Sequence, residues 1–272
     1  MPSGAEQVDW SAVRFLLIDM DGVLFRGSRR LEGADGLLPW LERGGIEYRL
    51  LTNNSTASPE RNAEMLAAMG IRAPVGSIFT SSLATAMDLT ESGTRGPVYV
   101  IGEAGLHQAL TEAGMEISTA AEGVTAVVAG LDRGVTYDRL RTACLALESG
   151  AEFVATNADT SLPVEEGLAP GAGALQAAIT ATTGIRPRVI GKPQPRMLEL
   201  AMAAMGAEVE QTAMLGDRLD TDIAAAAALD MTALLVLTGV STRVDIAGSP
   251  AKPTAVFEDL PELMRAWEAA LR

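Results

Sequence analysis

Short aliphatic runs alternate with helix-length amphipathic segments along most of this chain, and nearly every such segment stops at a glycine. Phe15–Ile18 precedes a predicted helix near Ala34–Arg43, closed by Gly44-Gly45, and then a strand over Glu47–Leu51. Ser58-Pro59-Glu60 opens the next helix with three signals: an N-cap hydroxyl, a proline at the first helical position and an acid in the first turn. That helix stops at Gly70. Strand, helix and strand in this order need crossovers, which build a parallel sheet with right-handed connections. The expected fold class is therefore α/β.

The middle of the chain repeats the style as a unit of its own. Val98–Ile101, Thr125–Ala129 and Glu152–Ala155 read as strands, separated by helices over Glu103–Ala113 and Tyr137–Glu148. A loop over Thr160–Pro170 and a helix over Ala172–Thr182 follow. The opening style then resumes with strands at Arg188–Ile190, Ala213–Leu215 and Ala233–Leu237. The simplest organisation is a core, residues 1–82 and 186–272, interrupted by an inserted α/β domain over 83–185. A chain of 272 residues with 48% hydrophobic content can fill both cores, and 4% aromatic content makes them aliphatic.

A formal charge of −14 argues against wrapping a nucleic-acid backbone, so no nucleic-acid partner is expected. Any anion site must be built locally, from a metal ion, a lysine and backbone N–H groups. The most apolar stretch, Ile223 to Val240, is broken by Asp230, so no membrane span is expected. No secretory signal is expected from the N-terminal residues, and with the single Cys144, which suits a reducing compartment, a cytoplasmic location is expected.

Against this frame, the strand Phe15–Ile18 ends in Asp19-Met20-Asp21-Gly22. In extended backbone, residues i and i+2 share a face, so both carboxylates can meet one reaction centre at the carboxyl edge of the sheet. Alone, Asp-x-Asp is common, and a solvated strand end accounts for it equally well. Thr52 ends the second strand and leads into Asn53 and Asn54, a turn whose N–H groups and hydroxyl suit a phosphoryl oxygen; an ordinary Asn-rich turn also fits. Lys192 lies in the Gly/Pro-rich turn Gly191-Lys192-Pro193. Gly216-Asp217-Arg218-Leu219-Asp220-Thr221-Asp222 joins a strand end to a helix start, where acids also serve as caps. Jointly, these four motifs supply the parts of phosphoryl transfer: a carboxylate nucleophile, metal-binding carboxylates, a lysine with N–H donors for the equatorial oxygens, and a proton donor.

With these motifs the sequence resembles the haloacid dehalogenase (HAD) superfamily, closest to its NagD-like, p-nitrophenyl-phosphatase branch, subfamily IIA. Matching phrases run through core and insertion alike: Asp19-Met20-Asp21-Gly22-Val23-Leu24, Leu51-Thr52-Asn53-Asn54-Ser55, Ala155-Thr156-Asn157-Ala158-Asp159, Pro170-Gly171-Ala172-Gly173-Ala174-Leu175 and Gly191-Lys192-Pro193. The resemblance implies a Rossmann-like core with a large α/β cap that covers the site and sets specificity. It implies a Mg²⁺-dependent hydrolase of small phosphorylated metabolites, such as nucleotides or sugar phosphates. Asp19 would attack phosphorus and become an aspartyl-phosphate; Asp21 would protonate the leaving alkoxide and then activate water. Mg²⁺ would be held by Asp19, Asp217 and the backbone carbonyl of Asp21, with Asp220 a weaker candidate. Thr52, Asn53 and Asn54 would bind phosphoryl oxygens, Lys192 would offset charge on Asp19 and the phosphate, and Asp222 would orient Lys192 or support the metal from behind.

By the same resemblance, the loop Ser161–Leu168 projects toward the active site, which makes Glu165 and Glu166 candidates for contact with a hydroxylated or amine-bearing leaving group; two solvated acids is the simpler alternative. Asn157 and Asp159 are expected to shape a turn first. His107, the only histidine, is expected on the surface of a helix, and Cys144 as a small buried hydrophobe. Two other classes stay open at this point: a phosphotransferase or mutase sharing the aspartyl-phosphate, and a non-catalytic ligand-binding regulator on the same scaffold. A homodimer is compatible with the family.

Overall fold

The computed structural model describes residues 4–164 and 166–272. The first part of the chain forms β1 (Phe15–Asp19), β2 (Phe25–Arg26), β3 (Arg29–Arg30), α1 (Ala34–Arg43), β4 (Glu47–Thr52), α2 (Pro59–Ala68), β5 (Ile78–Thr80) and α3 (Ser81–Glu91). The middle holds β6 (Val98–Ile101), α4 (Ala104–Glu112), β7 (Ile117–Ser118), β8 (Ala126–Ala129), α5 (Tyr137–Glu148), β9 (Glu152–Ala155), β10 (Ser161–Val164), β11 (Gly167–Pro170), α6 (Ala172–Thr183) and β12 (Arg188–Val189). The last part adds α7 (Arg196–Ala203), β13 (Thr212–Gly216), α8 (Ala224–Ala227), β14 (Thr232–Val236), α9 (Arg243–Gly248), β15 (Ala255–Phe257) and α10 (Leu260–Ala270).

These elements divide into two compact units. The first takes residues 4–52, 60–79 and 192–272. Its six-stranded sheet runs in the order β15-β14-β13-β1-β4-β5, and the pairs from β15 to β4 are parallel. Leu16, Leu17 and Ile18 are all fully buried, as are Leu215, Leu234 and Val236. A strand covered on both faces reads as an unbroken apolar run rather than an alternation, which is why β1 was legible from four residues. Parallel pairing brings the carboxyl ends of β1, β4 and β13 to one edge, with Asp19 beside Leu51 and Ile18 beside Leu215.

The second unit takes residues 53–59 and 80–191. Its five-stranded sheet runs β12-β9-β8-β6-β7, parallel throughout, and β10 and β11 form a separate antiparallel hairpin. The strand read from the sequence as the resumption of the core, Arg188–Ile190, instead closes this second sheet: Arg188 and Val189 pair with Val154 and Ala155 of β9. Its local sequence is strand-like in either sheet, and only the partner decides. The Thr160–Pro170 stretch read as a loop is the β10–β11 hairpin, with Val164 opposite Gly167. The second unit therefore reaches beyond the limits 83–185 at both ends. It also includes residues 53–59, because Ser81 Oγ donates to the Asn53 carbonyl at 2.7 Å, Ser82 Oγ to the Ser55 carbonyl at 2.9 Å, and Gly105 N–H to the Thr56 carbonyl at 3.0 Å. Cys144, on α5, is half-buried against this unit's apolar cluster, and His107, on α4, is also half-buried.

Candidate active site

Within the first unit, the carboxyl edge of the sheet collects three acids and a lysine. Asp19 is the last residue of β1, and Asp217 follows β13 directly. Because β1 and β13 pair in parallel register, these two carboxylates leave adjacent strand ends side by side. Asp222 comes from the turn of helix Leu219–Ile223 that returns behind β13. Carboxylate oxygens of Asp19, Asp217 and Asp222 lie within 4.8 Å of one another, all buried. Lys192 is 2% exposed, and its Nζ donates to Asp19 Oδ1 at 2.5 Å and to Asp222 Oδ1 at 2.6 Å.

The hydrogen bonds separate the roles of the three acids. Asp222 is saturated: Oδ1 takes the lysine, and Oδ2 accepts the backbone N–H groups of Asp217 and Arg218 at 3.2 and 3.1 Å. It fixes both the ammonium and the start of the Asp217 turn. Asp217 Oδ2 accepts the Val240 N–H at 2.7 Å, whereas Asp217 Oδ1 is buried with no hydrogen-bond partner. A buried carboxylate oxygen left unpaired is costly and calls for a partner.

Backbone packs directly against that carboxylate. Gly22, at φ +88°, runs so close that a Cβ there would lie 2.4 Å from Asp217 Oδ2; at Gly239 a Cβ would lie 1.9 Å from the same atom. Only glycine fits at either place. The loop after β14 completes the cradle: Thr238 Oγ1 donates to the Gly22 carbonyl at 2.6 Å, Ser241 N–H donates to the Asp217 carbonyl at 3.1 Å, and Ser241 Oγ accepts from Leu219 N–H at 3.0 Å. Sequence reading missed Thr238, Val240 and Ser241. The available signal was the Thr238-Gly239 turn at the end of a buried strand that neighbours β13.

Electrostatics follow from crowding three acids around one cation. Burial pushes the Asp19 carboxyl well above the usual range, and Asp222 and Asp217 add to that, against the pull of Lys192. Burial and the Asp222 charge raise Asp217 to about 7, opposed by the Val240 N–H, Lys192 and Arg218. Burial alone would lower Lys192, but Asp19 and Asp222 overturn it and hold the ammonium charged. With three carboxylates against one ammonium, the cluster is short of positive charge. Its donors are hard oxygens, one of them unpaired, so a divalent cation fits Asp19 and Asp217 while Asp222 is already committed to Lys192 and the turn.

Asp21 is exposed, beside this cluster, and partial burial raises its carboxyl, opposed by Arg26 and the Gly22 N–H. Thr52 ends β4, half-buried, next to β1. Asp220, the weaker metal candidate, lies outside the cluster: it is exposed, and both its oxygens take the Arg218 guanidinium, at 3.0 and 2.8 Å. In the second unit, the Asn53 carbonyl is held by Ser81 and by Asn157 Nδ2 at 2.8 Å, and Asn54 Oδ1 closes a turn by accepting the N–H and hydroxyl of Thr56 at 2.9 and 2.8 Å. Asn157, buried, also accepts the Asp159 N–H at 3.1 Å, which is the turn-shaping expected of it. Glu166 is exposed at the tip of the β10–β11 hairpin, and Glu165 lies outside the described residues.

Residues 16–116 match the model of the haloacid dehalogenase-like hydrolases, and residues 189–263 a second HAD-hydrolase-like model. The 5'-nucleotidase YutF of Bacillus subtilis is 39% identical over 90% of this chain and 95% of its own. The chain belongs to the haloacid dehalogenase-like hydrolases. An acid sugar phosphatase of Staphylococcus aureus is 42% identical to this hydrolase over the same shares. Among solved structures, NagD from Escherichia coli K-12 is 33% identical, with a TM-score of 0.87 over 92% of this chain and 98% of that one. A thermostable p-nitrophenylphosphatase from Geobacillus stearothermophilus is 39% identical, with a TM-score of 0.84 over 91% and 96%. The hydrolase is thus a phosphatase of the NagD-like branch, and its acidic cluster is suited to a divalent metal. Among the described residues, no helix is long and apolar enough to cross a membrane.

Proposed function

We propose that this phosphatase hydrolyses small phosphate monoesters through an aspartyl-phosphate on Asp19, with Mg²⁺ held by Asp19, Asp217 and the backbone carbonyl of Asp21. The observation that carries this reading is the unpaired, buried Asp217 Oδ1 beside Asp19, in a cluster where Lys192 balances only one of three acids. Relatives named 5'-nucleotidase, acid sugar phosphatase and p-nitrophenylphosphatase support the substrate class.

A carboxylate oxygen of Asp19 attacks phosphorus, and the bond from phosphorus to the ester oxygen breaks. Asp21 gives its proton to the departing alkoxide; a carboxyl raised by partial burial holds that proton more readily. Asp21 then takes a proton from water, whose oxygen attacks the phosphorus, releasing phosphate and restoring both aspartates. Thr52 and the N–H of Asn53, the group bonded to it, bind phosphoryl oxygens. Lys192 offsets the charge on Asp19 and the transferring group, and Asp222 keeps the ammonium aimed. When bound, the metal ion supplies charge neutralisation at the phosphoryl oxygens. Asn54 shapes the turn through its Oδ1, which accepts from Thr56.

The test is release of inorganic phosphate from a panel of esters, p-nitrophenyl phosphate included, by purified protein with and without Mg²⁺. Asp19→Asn is expected to abolish release while the circular dichroism spectrum stays unchanged. Full activity in that variant overturns the nucleophile, and transfer to an acceptor other than water overturns the hydrolase reading.

A further inference from the structure

The β2–β3 hairpin carries charge that neither the fold nor the mechanism uses. In a chain with 35 acids and 21 bases, residues 26–30 hold three arginines, Arg26, Arg29 and Arg30, and no acid lies between Asp21 and Glu32. The hairpin register places Arg26 directly opposite Arg29. Directly opposed side chains of an antiparallel pair share a face, and like charges there are destabilising. The alternate face is spent on packing: Phe25 is buried in the first unit's core. Arg30 is also committed, donating to the Met69 carbonyl at 3.3 Å and pairing with Asp35 at 3.2 Å. The side chains of Arg26 and Arg29 are exposed and make no ion pair or side-chain hydrogen bond among the described residues.

The hairpin is tied to the Asp21 turn rather than hanging free. Gly22 N–H donates to the Phe25 carbonyl at 2.7 Å, Asp21 and Phe25 form a bridge, and Leu31 N–H donates to the Leu24 carbonyl at 3.0 Å. Arg26 is close enough to Asp21 to act on its carboxyl. Two unspent guanidinium groups on one face, anchored beside the residue that serves the leaving group, make a ready partner for a second anion. Guanidinium recognises carboxylate and phosphate alike.

We infer that Arg26 and Arg29 bind a second anionic group on the leaving-group side of the substrate, so that the preferred substrates are phosphate monoesters whose alcohol carries a carboxylate or a further phosphate. The inference rests on the assignment of Asp21 to the leaving group.

Three two-carbon esters test it with Mg²⁺ present: 2-hydroxyethyl phosphate, phosphoglycolate and ethylene glycol bisphosphate. They share a skeleton and differ in whether the far end is neutral, carboxylate or phosphate. Wild-type kcat/KM is expected to favour at least one anionic ester over the neutral one, and which one identifies the anion. In Arg26→Gln and in Arg29→Gln separately, that preference is expected to fall roughly ten- to a hundredfold, mainly through KM, the scale of one charge-assisted hydrogen bond. Arg→Lys at either position restores part of it. Simple tuning of Asp21 by Arg26 would change all three esters together, leave their ratio intact and overturn the inference. No wild-type preference, or a ratio that moves less than twofold in both variants, overturns it as well. Those results leave hydrolysis through Asp19 and Asp21 standing; only loss of phosphate release from every ester by the wild-type protein removes both readings.

Discussion

Replacing Asp217 by Asn is expected to make the metal-free protein more stable and to cost it its metal response. Burial and the Asp222 charge hold Asp217 at about 7 in the folded protein, against 3.8 for a free aspartate side chain. A gap of about 3 pK units corresponds to something on the order of 4 kcal/mol. The sign follows from proton counts. An acid whose pKa rises on folding binds more protons folded than unfolded, so its contribution to stability falls as pH rises from about 4 to about 7 and is flat above. Asp19 is shifted the same way and adds to the trend. At pH 8 without metal, the wild-type protein therefore carries the full penalty, and Asn removes it. The amide still accepts the Val240 N–H through one atom, but its NH₂ takes the place of an oxygen that has no partner, a loss of about 1–3 kcal/mol. The net gain of about 1–3 kcal/mol raises Tm by roughly 2–5 °C for a protein of this size. Thermal melts followed by circular dichroism in chelator should show that gain at pH 8 and lose most of it at pH 4.5. Added Mg²⁺ at about 100 times its Kd should stabilise the wild type by about 2.7 kcal/mol and the variant far less. A variant that melts at or below the wild type at pH 8, or that gains equally from Mg²⁺, refutes the electrostatic account of this site.

Asp21→Asn is expected to lower kcat by about 10²–10⁴-fold with an unchanged melt, the usual scale of general acid–base assistance; steady-state assays on an alkyl phosphate, a poor leaving group, show it best. Lys192→Met strips two buried carboxylates of their cation and should destabilise the metal-free protein by about 3–5 kcal/mol at pH 8. Denaturant titration should find that loss shrinking as the pH falls, because burial raises the Asp19 carboxyl and so favours its neutral form. Gly239→Ala places a Cβ 1.9 Å from Asp217 Oδ2 and should destabilise by about 1–3 kcal/mol while weakening Mg²⁺ affinity, read by isothermal titration.

Where function demands local order, the sequence was readable. β1 is an apolar run that ends in Asp19, and β13 carries the apolar Ala213-Met214-Leu215 with Asp217 two residues on, so the sequence places both acids at strand ends without knowledge of the pairing. Lys192 stood out because Gly191 and Pro193 confine it. What remained hidden depends on partners distant in sequence. Arg188 and Val189 form a strand in either sheet, and β9 decides which. Val240 meets Asp217 across 23 residues, a contact that leaves no periodic trace. Strands β2 and β3 span two residues each, too short for any pattern, so the Arg26–Arg29 pair appeared only with the register. Asp220, the weaker metal candidate of the acidic motif, shows the opposite case: a neighbour two residues away, Arg218, takes both its oxygens, and the motif alone does not reveal it.

The central strand of the first unit has consequences for biosynthesis. Leu17 of β1 pairs with Met214 of β13, separated by roughly 200 residues. At ribosomal speeds of about 5–20 residues per second, β1 waits on the order of 10–40 s for that neighbour, while nearly all of the second unit emerges as one continuous stretch. The nascent chain therefore emerges through nearly all of its inserted unit while the strand bearing Asp19 still has only β4 as a neighbour, a long exposure of aliphatic side chains before β13 covers them.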